Sequence, residues 1–348
     1  MEHRFGTGLV VGKFCPLHLG HEHVITCALR HCGRLFVLSY TQPEFPRCDA
    51  DARERWLHER FPDAISLVLD DAILARICAA RGLTLRRLPH NDDSEIAHRD
   101  FCGWVCTELL GTAVDAVFTS EDYGDGFADA LTNWFSRHGE ARAVTHVSVD
   151  RARGAFPISG TAVREDPHGS RDWLSPAVYG DFVDRVCILG GESSGKTTLA
   201  ALLAQALDTT WAAEYGRELW VARKDELAFD DLLHIARTQR ARENTLARQA
   251  RRWLVCDTGP LTTLGYSHSM FGRADPELEA LAGQAYAHVF LCRPDFPFVQ
   301  DGTRRDESFR QRQHDWYMRE LERRGIVYQE LEGPLSTRIA CAMRALSD

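Results

Sequence analysis

The chain has 348 residues, enough for two domains of ordinary size, each able to bury its own core. Charged residues make up 26% and apolar ones 44%, the balance of a globular protein rather than a fibrous or disordered one. The formal net charge of −9 argues against a coat for nucleic acid, and no apolar run nears the ~18 to 20 residues of a membrane span or forms a signal-peptide core, so a cytoplasmic enzyme is expected. The 11 cysteines are scattered without a C-x-x-C pair, which predicts buried free thiols rather than a metal site.

From the N-terminus, Gly8 to Gly12 reads as a short buried strand. Lys13, Phe14 and then His18-Leu-Gly20-His21 follow, with Val24, Ile25, Ala28 and Leu29 at helical spacing and Gly33 as a predicted left-handed helix stop. His18 and His21 therefore share one face of a first helical turn, where the dipole favours anions and lowers imidazole basicity. Both rings are expected to be neutral donors to phosphate, with Gly20 permitting close approach. A second strand is predicted at 35–39, then a helix at 51–58 whose Arg53 and Arg55 fit a solvated face better than a phosphate site.

Residues 90–94 read as a turn leading into a helix that carries Trp104, a core aromatic or a ring that stacks on a flat heterocycle. The strand 114–118 ends in Thr119-Ser120-Glu121, a binding-site candidate because open α/β sheets bind ligands beyond the carboxyl ends of their strands. After a strand at 143–149 come Asp150 and Arg151, then a helix start capped by Ser159 or Thr161 and carrying Arg164, a second anion-binding arrangement. Turn-rich residues 165–176 mark a boundary, giving a first domain at 1–168, a linker at 169–182 and a second domain at 183–348.

The second domain opens with the strongest signal in the chain. A strand at 186–189 runs into Gly190-Gly191-Glu192-Ser193-Ser194-Gly195-Lys196-Thr197-Thr198, and Leu199, Leu202, Leu203, Ala206 and Leu207 continue with helical period. This is a P-loop in its required strand–helix setting: the backbone N–H groups face an anion, Lys196 reaches the β/γ-phosphates of ATP and Thr197 offers a hydroxyl to Mg²⁺. A strand at 209–213 ends in Glu214-Tyr215-Gly216-Arg217. Another at 253–256 ends in Asp257-Thr258, the apolar-then-Asp pattern that holds Mg²⁺ in P-loop enzymes. Either carboxylate fits the role of proton acceptor, and the roles stay open between them. After a strand at 287–292, Arg304 and Arg305 suit a lid over a transferring phosphate.

With these motifs in place, the first half resembles the HxGH nucleotidyltransferases, through Gly12-Lys13-Phe14, His18-x-Gly20-His21 and Ile158-Ser159-x-Thr161-x-x-Arg164. The second half resembles ribosylnicotinamide kinases, and the whole arrangement is similar to the bifunctional NadR-type proteins of NAD synthesis. The resemblance implies an α/β fold in both halves, a Rossmann-like nucleotidyltransferase domain and a P-loop kinase domain, each with a parallel sheet. It implies phosphorylation of nicotinamide riboside by the second half and adenylylation of nicotinamide mononucleotide (NMN) to NAD⁺ by the first, with ATP as co-substrate and Mg²⁺ as cofactor. It assigns His18, His21, Ser159 and Arg164, with Lys13 as helper, to triphosphate. It assigns Trp104, Thr119 to Glu121, Asp150 and Arg151 to nucleoside parts, and Lys196, Thr197, Glu214 and Asp257 to the kinase. Only seven residues precede the first strand, so the DNA-binding helix-turn-helix of some relatives is not expected to carry over, and the expected partners are small molecules alone. The alternatives are a kinase whose first domain only senses nucleotide, or a first domain that adenylylates another phosphate ester. A homo-oligomer is left open.

Overall fold

The computed structural model describes residues 3–297 and 307–347. The chain divides into two compact units, Met1–Asp181 and Phe182–Asp348. In the first, the described strands β1 (Phe5–Gly12), β2 (Cys32–Tyr40), β3 (Ile65–Leu69), β4 (Ala116–Thr119) and β5 (Thr145–Ser148) form a parallel sheet in the order β3-β2-β1-β4-β5. In the second, β6 (Asp184–Gly190), β7 (Trp211–Ala212), β8 (Trp253–Asp257), β9 (His288–Cys292) and β10 (Gln329–Leu331) form another in the order β10-β9-β6-β8-β7, again parallel.

Parallel strands need long crossovers, and these are helical, so both faces of each central strand are buried and read as apolar runs. Val186, Cys187, Ile188 and Leu189 of β6 are each no more than 1% exposed. In both sheets the strand order reverses beside the first strand of the unit, at β1/β4 and at β6/β8. A crevice opens there beyond the carboxyl ends, and the loop leaving β1 or β6 faces it.

Two expectations change. Gly33 is not a left-handed helix stop: the helix Leu19–His31 passes through an extended Cys32 directly into β2, which contains Gly33. The glycine is needed for space, since a Cβ there meets the Gly6 carbonyl oxygen at 3.3 Å. Residues 169–181 are not a bare linker either. Leu174, Val178 and Tyr179 are buried, His18 and Leu174 form a β-bridge, and the Asp181 carboxylate accepts from Trp56 Nε1 at 2.8 Å and Arg55 Nη2 at 3.0 Å. The prolines and turn residues that suggested a linker instead start the short helix Pro176–Tyr179, with Pro at N1. Nine of the cysteines are buried, Cys27 and Cys341 are partly so, and all are free thiols. No described helix is long and apolar enough to cross a membrane.

Removing 169–181 from the first unit should therefore cost the burial of three side chains, several kcal/mol at about 1.5 to 3 each, and lower the melting temperature of fragment 1–168 relative to 1–181 by on the order of 10 °C. Equal melting temperatures in calorimetry would contradict the assignment of this segment to the first unit's core.

Candidate functional site

In the first unit, His18 caps the helix Leu19–His31 through a reciprocal pair of bonds: the His21 N–H donates to His18 Nδ1 and the His18 N–H donates to His21 Nδ1, each at 3.4 Å. Because both Nδ1 atoms accept, both rings carry their proton on Nε2. The rings stack with centroids 3.7 Å apart and planes 22° apart, and the edge of Phe14 packs on His21. Burial, reinforced by Arg153, lowers the His18 pKa to about 4. Burial, then His18 and Arg153, lower His21 well below its ordinary value. Gly20 is glycine because a Cβ there would lie 3.0 Å from His18 Cε1, so the close approach is made by the histidine ring itself.

The second anion motif joins the first. Ser159 Oγ caps the helix Gly160–Glu165 by accepting from the Ala162 N–H. Arg164 donates to the Cys15 carbonyl at 2.6 Å and to Thr161 Oγ1 at 3.0 Å, and lies 4.1 Å over the Phe45 ring. Gly160 keeps the approach open, since a Cβ there would meet Arg164 Nη1 at 3.1 Å. Lys13 is close enough to Arg164 that burial first and that guanidinium second depress its pKa. His18, His21, Lys13 and Arg164 thus form one donor-rich cluster after β1.

Beside it lies a cleft of about 750 Å³ lined by Gly12, Lys13, Tyr40, His98, Arg99, Cys102 and Tyr123 among others. Trp104 does not line it. In the helix Glu95–Trp104, residues 95, 98, 99 and 102 share the cleft face, and Trp104 lies about 120° around the helix from His98 and about 160° from Cys102, off that face. There its ring packs on Phe101 and under the Arg86 guanidinium. The spacing 95/98/99/102 was the available signal for the missed His98 and Arg99. At the end of β4, Thr119 is buried and bonded to His146 Nε2 at 2.9 Å, Ser120 is half-buried, and Glu121 pairs with Arg153 at 2.8 Å. Asp150 shapes its turn by accepting from the N–H groups of Gly154, Ala155 and Phe156, and Arg151 pairs with Asp122 at the surface. Arg153, two residues beyond Arg151, is the arginine of this loop that acts on the histidines.

In the second unit β6 ends at Gly190, and the helix Lys196–Ala206 begins after Gly195. Positive φ angles at Gly190 (147°), Ser193 (56°) and Gly195 (83°) curl the P-loop. Lys196 Nζ and Ser194 Oγ each donate to the Gly191 carbonyl at 2.8 Å, and Arg338 Nη1 donates to the Ser194 carbonyl at 3.0 Å. Glu192 accepts from the Tyr266 hydroxyl, and its N–H donates to Gln313. Thr197 and Thr198 are exposed at the helix start.

Next to the P-loop is a cleft of about 1050 Å³ lined by Gly190, Glu192, Lys196, Glu214, Gly216, Arg217 and Thr258, together with Trp220, Gln239, Tyr266 and Tyr317, which the sequence did not single out. Thr258 reaches the wall through a left-handed turn, φ 70°, at the end of β8. Tyr215 points away, with its hydroxyl on His234 Nε2 at 3.1 Å, while its N–H donates to Gln239. Burial raises the pKa of Glu214, opposed mainly by Lys196. Burial also raises Asp257, opposed by the Thr197 hydroxyl that donates to it and then by Lys196. Asp257 is 1% exposed, and its Oδ1 has no hydrogen-bond partner. A buried carboxylate oxygen left unpaired beside a P-loop threonine fits Mg²⁺, which P-loop proteins hold with one Ser/Thr, one Asp and substrate phosphates rather than with a protein-only cage. Among the described residues no group of three or more His, Cys, Asp and Glu is arranged to hold a metal. Arg304 and Arg305 lie outside the described residues.

Residues 185–338 match the family described as AAA domain. The chain is 30% identical over 313 residues to the trifunctional NAD biosynthesis/regulator protein NadR of Escherichia coli (strain K12), covering 85% of this chain and 71% of that protein. The NadR of Salmonella typhimurium is 29% identical over the same shares. Among solved structures, a NadR protein in complex with NR superposes with a TM-score of 0.71 at 20% identity, covering 99% of this chain and 95% of that one. A NadR protein in complex with NAD and AMP-PNP gives 0.71 at 19% identity, covering 98% and 95%. An identity of 30% across most of both chains gives the family: the chain belongs to the NadR family.

Proposed function

We propose that the chain makes NAD⁺ in two steps, phosphorylating nicotinamide riboside in its second unit and adenylylating the resulting NMN in its first. The observation that carries this reading is that each unit has its own donor-bearing turn at the carboxyl end of a central strand, with its own cleft beside it. One kinase site would account for only one of these turns. Incubating the protein with ATP and riboside, and separately with ATP and NMN, tests the reading: NAD⁺ should form in both, with ADP in the first only.

In the kinase, the riboside 5′-oxygen attacks the γ-phosphorus of ATP, the bond to the β-phosphate oxygen breaks, and ADP leaves. Lys196 and the loop N–H groups hold the β/γ-phosphates where charge builds. Thr197 and Asp257 would hold Mg²⁺, which neutralises phosphate charge when bound. Glu214 faces the cleft and Asp257 sits behind Thr197, so Glu214 is assigned as the acceptor of the 5′-hydroxyl proton. In the adenylyl transfer, an NMN phosphate oxygen attacks the α-phosphorus and pyrophosphate leaves. No protein nucleophile is required, and the neutral His18 and His21 rings, the latter's Nε2–H resting on the Pro16 carbonyl, with Arg164 and Lys13, stabilise the charge that develops.

Glu214→Gln should lower kcat for riboside phosphorylation by on the order of 10² to 10⁴, the usual share of a general base, while conversion of supplied NMN to NAD⁺ stays unchanged. Because burial raises Glu214, the wild-type kinase should lose activity on acidification at a pH above the ordinary glutamate range. A Glu214→Gln protein that keeps wild-type kcat would move the base elsewhere.

The depressed His18 carries a stability prediction with a fixed sign. Below about pH 6.5 the unfolded chain takes up a proton that folded His18 refuses until about pH 4, so the first unit should lose stability as pH falls through this window and level off below it. His18→Asn should reduce the slope of that part of the melting-temperature profile of fragment 1–181, leaving the share that the likewise depressed His21 contributes, and should abolish adenylyl transfer. An unchanged slope would show that His18 titrates as a free histidine.

A further inference from the structure

Arg53 was read from sequence as part of a solvated face, and the structure instead buries it completely. In the helix Ala50–Arg60, residues Arg53, Trp56 and Leu57 recur at i, i+3 and i+4 and so share the inward face, with the exposed Arg60 at its edge. Trp56 donates to Asp181, and Arg60 makes a forked pair with the buried Glu22, one residue past His21. Arg53 reaches further in. Its Nε donates to the Cys48 carbonyl at 3.0 Å, Nη1 to Ser39 Oγ at 2.7 Å, and Nη2 to Glu44 Oε1 at 2.8 Å and the Leu69 carbonyl at 3.5 Å.

These contacts lead to the adenylyl site by two routes. Ser39, itself fully buried, takes the Arg53 proton donor on its oxygen and passes its own hydroxyl hydrogen to the Lys13 carbonyl at 3.1 Å. That fixes the loop leaving β1, the one whose Cys15 carbonyl receives Arg164. The second route is the segment between Glu44 and Cys48, gripped by Arg53 at both ends. It carries Phe45, whose ring lies 4.1 Å beneath the Arg164 guanidinium. A single guanidinium thus sets both the platform under Arg164 and the path of the loop that Arg164 closes. A fork of five donors in one plane can do this, and a lysine ammonium cannot span the same acceptors.

We propose that Arg53 is a positioning residue for adenylyl transfer, holding Lys13 through Ser39 and Arg164 through Phe45 without touching substrate. This rests on the reading of the first unit as an adenylyltransferase. Misplacing a reacting group by about 1 Å can cost on the order of 10²-fold, so Arg53→Met should lower kcat for NAD⁺ formation from NMN by roughly that factor at saturating ATP. KM for NMN should change far less, and riboside phosphorylation by the same molecules should be unchanged. Ser39→Ala cuts one route while keeping the Arg53–Glu44 pair, and should lower kcat by roughly tenfold with a near-native melting temperature. The double variant should be no worse than Arg53→Met, because both changes break the same relay.

If Arg53→Met does not fold, Ser39→Ala alone decides the matter. Full kcat in Ser39→Ala, or an Arg53→Met loss that matches the unfolded fraction seen by near-ultraviolet circular dichroism, overturns the inference. So do losses that multiply in the double variant. A wild-type chain that makes no NAD⁺ from NMN overturns the adenylyl-transfer reading itself and this inference with it, which is a different result from active wild type with unaffected variants.

Discussion

A loop that binds phosphate must present N–H groups and keep its own carbonyl oxygens from facing the anion. In the two-site reading proposed above, both units meet this constraint by covering carbonyls with donor side chains. In the first, Arg164 takes the Cys15 carbonyl and Ser39 takes that of Lys13. In the second, Lys196 and Ser194 take Gly191, and Arg338 takes Ser194. Each covering group also fixes the loop in place, so the backbone donors are arranged before substrate arrives and little reorganisation is left for the reaction. The parallel sheets supply the other half of the arrangement by ending the central strand where the crevice opens.

Charge within the clefts follows from burial more than from pairing. His18 and His21 are kept neutral because a charged ring would have to be desolvated beside Arg153. Glu214 and Asp257 are pushed toward the neutral form by the same desolvation, and Lys196 works against it in both. Of these two, Asp257, the one that Thr197 touches, has a buried oxygen without a hydrogen-bond partner.

Much of this was legible in the sequence because the two turns are local: a strand before, glycines between and a helix after leave a pattern in consecutive residues, with positive φ at Gly190 and Gly195 in the second. Glu214 and Asp257 were equally plain as carboxylates after strands, though which of them lines the cleft was not. What was not legible depends on rotation or on distant partners. Trp104 is aromatic and lies on the right helix, yet six residues of helical turn carry it off the cleft face that holds His98. Arg53 reads as surface by residue type, since two of its acceptors, Ser39 and the Leu69 carbonyl, are brought to it only by the sheet. Gly33 and the 169–181 segment misled for the reverse reason, because glycine and proline signal turns whether the fold needs conformational freedom or only small volume there.

The central claim is that one chain holds two separate triphosphate sites. Titration calorimetry with a non-hydrolysable ATP analogue in the presence of Mg²⁺ tests it most directly. Two analogue molecules should bind per chain, with Lys196→Ala and His18→Ala each reducing the number to one and the double variant to none. A single molecule per wild-type chain, or loss of all binding in either single variant that keeps a native fold, would contradict the account.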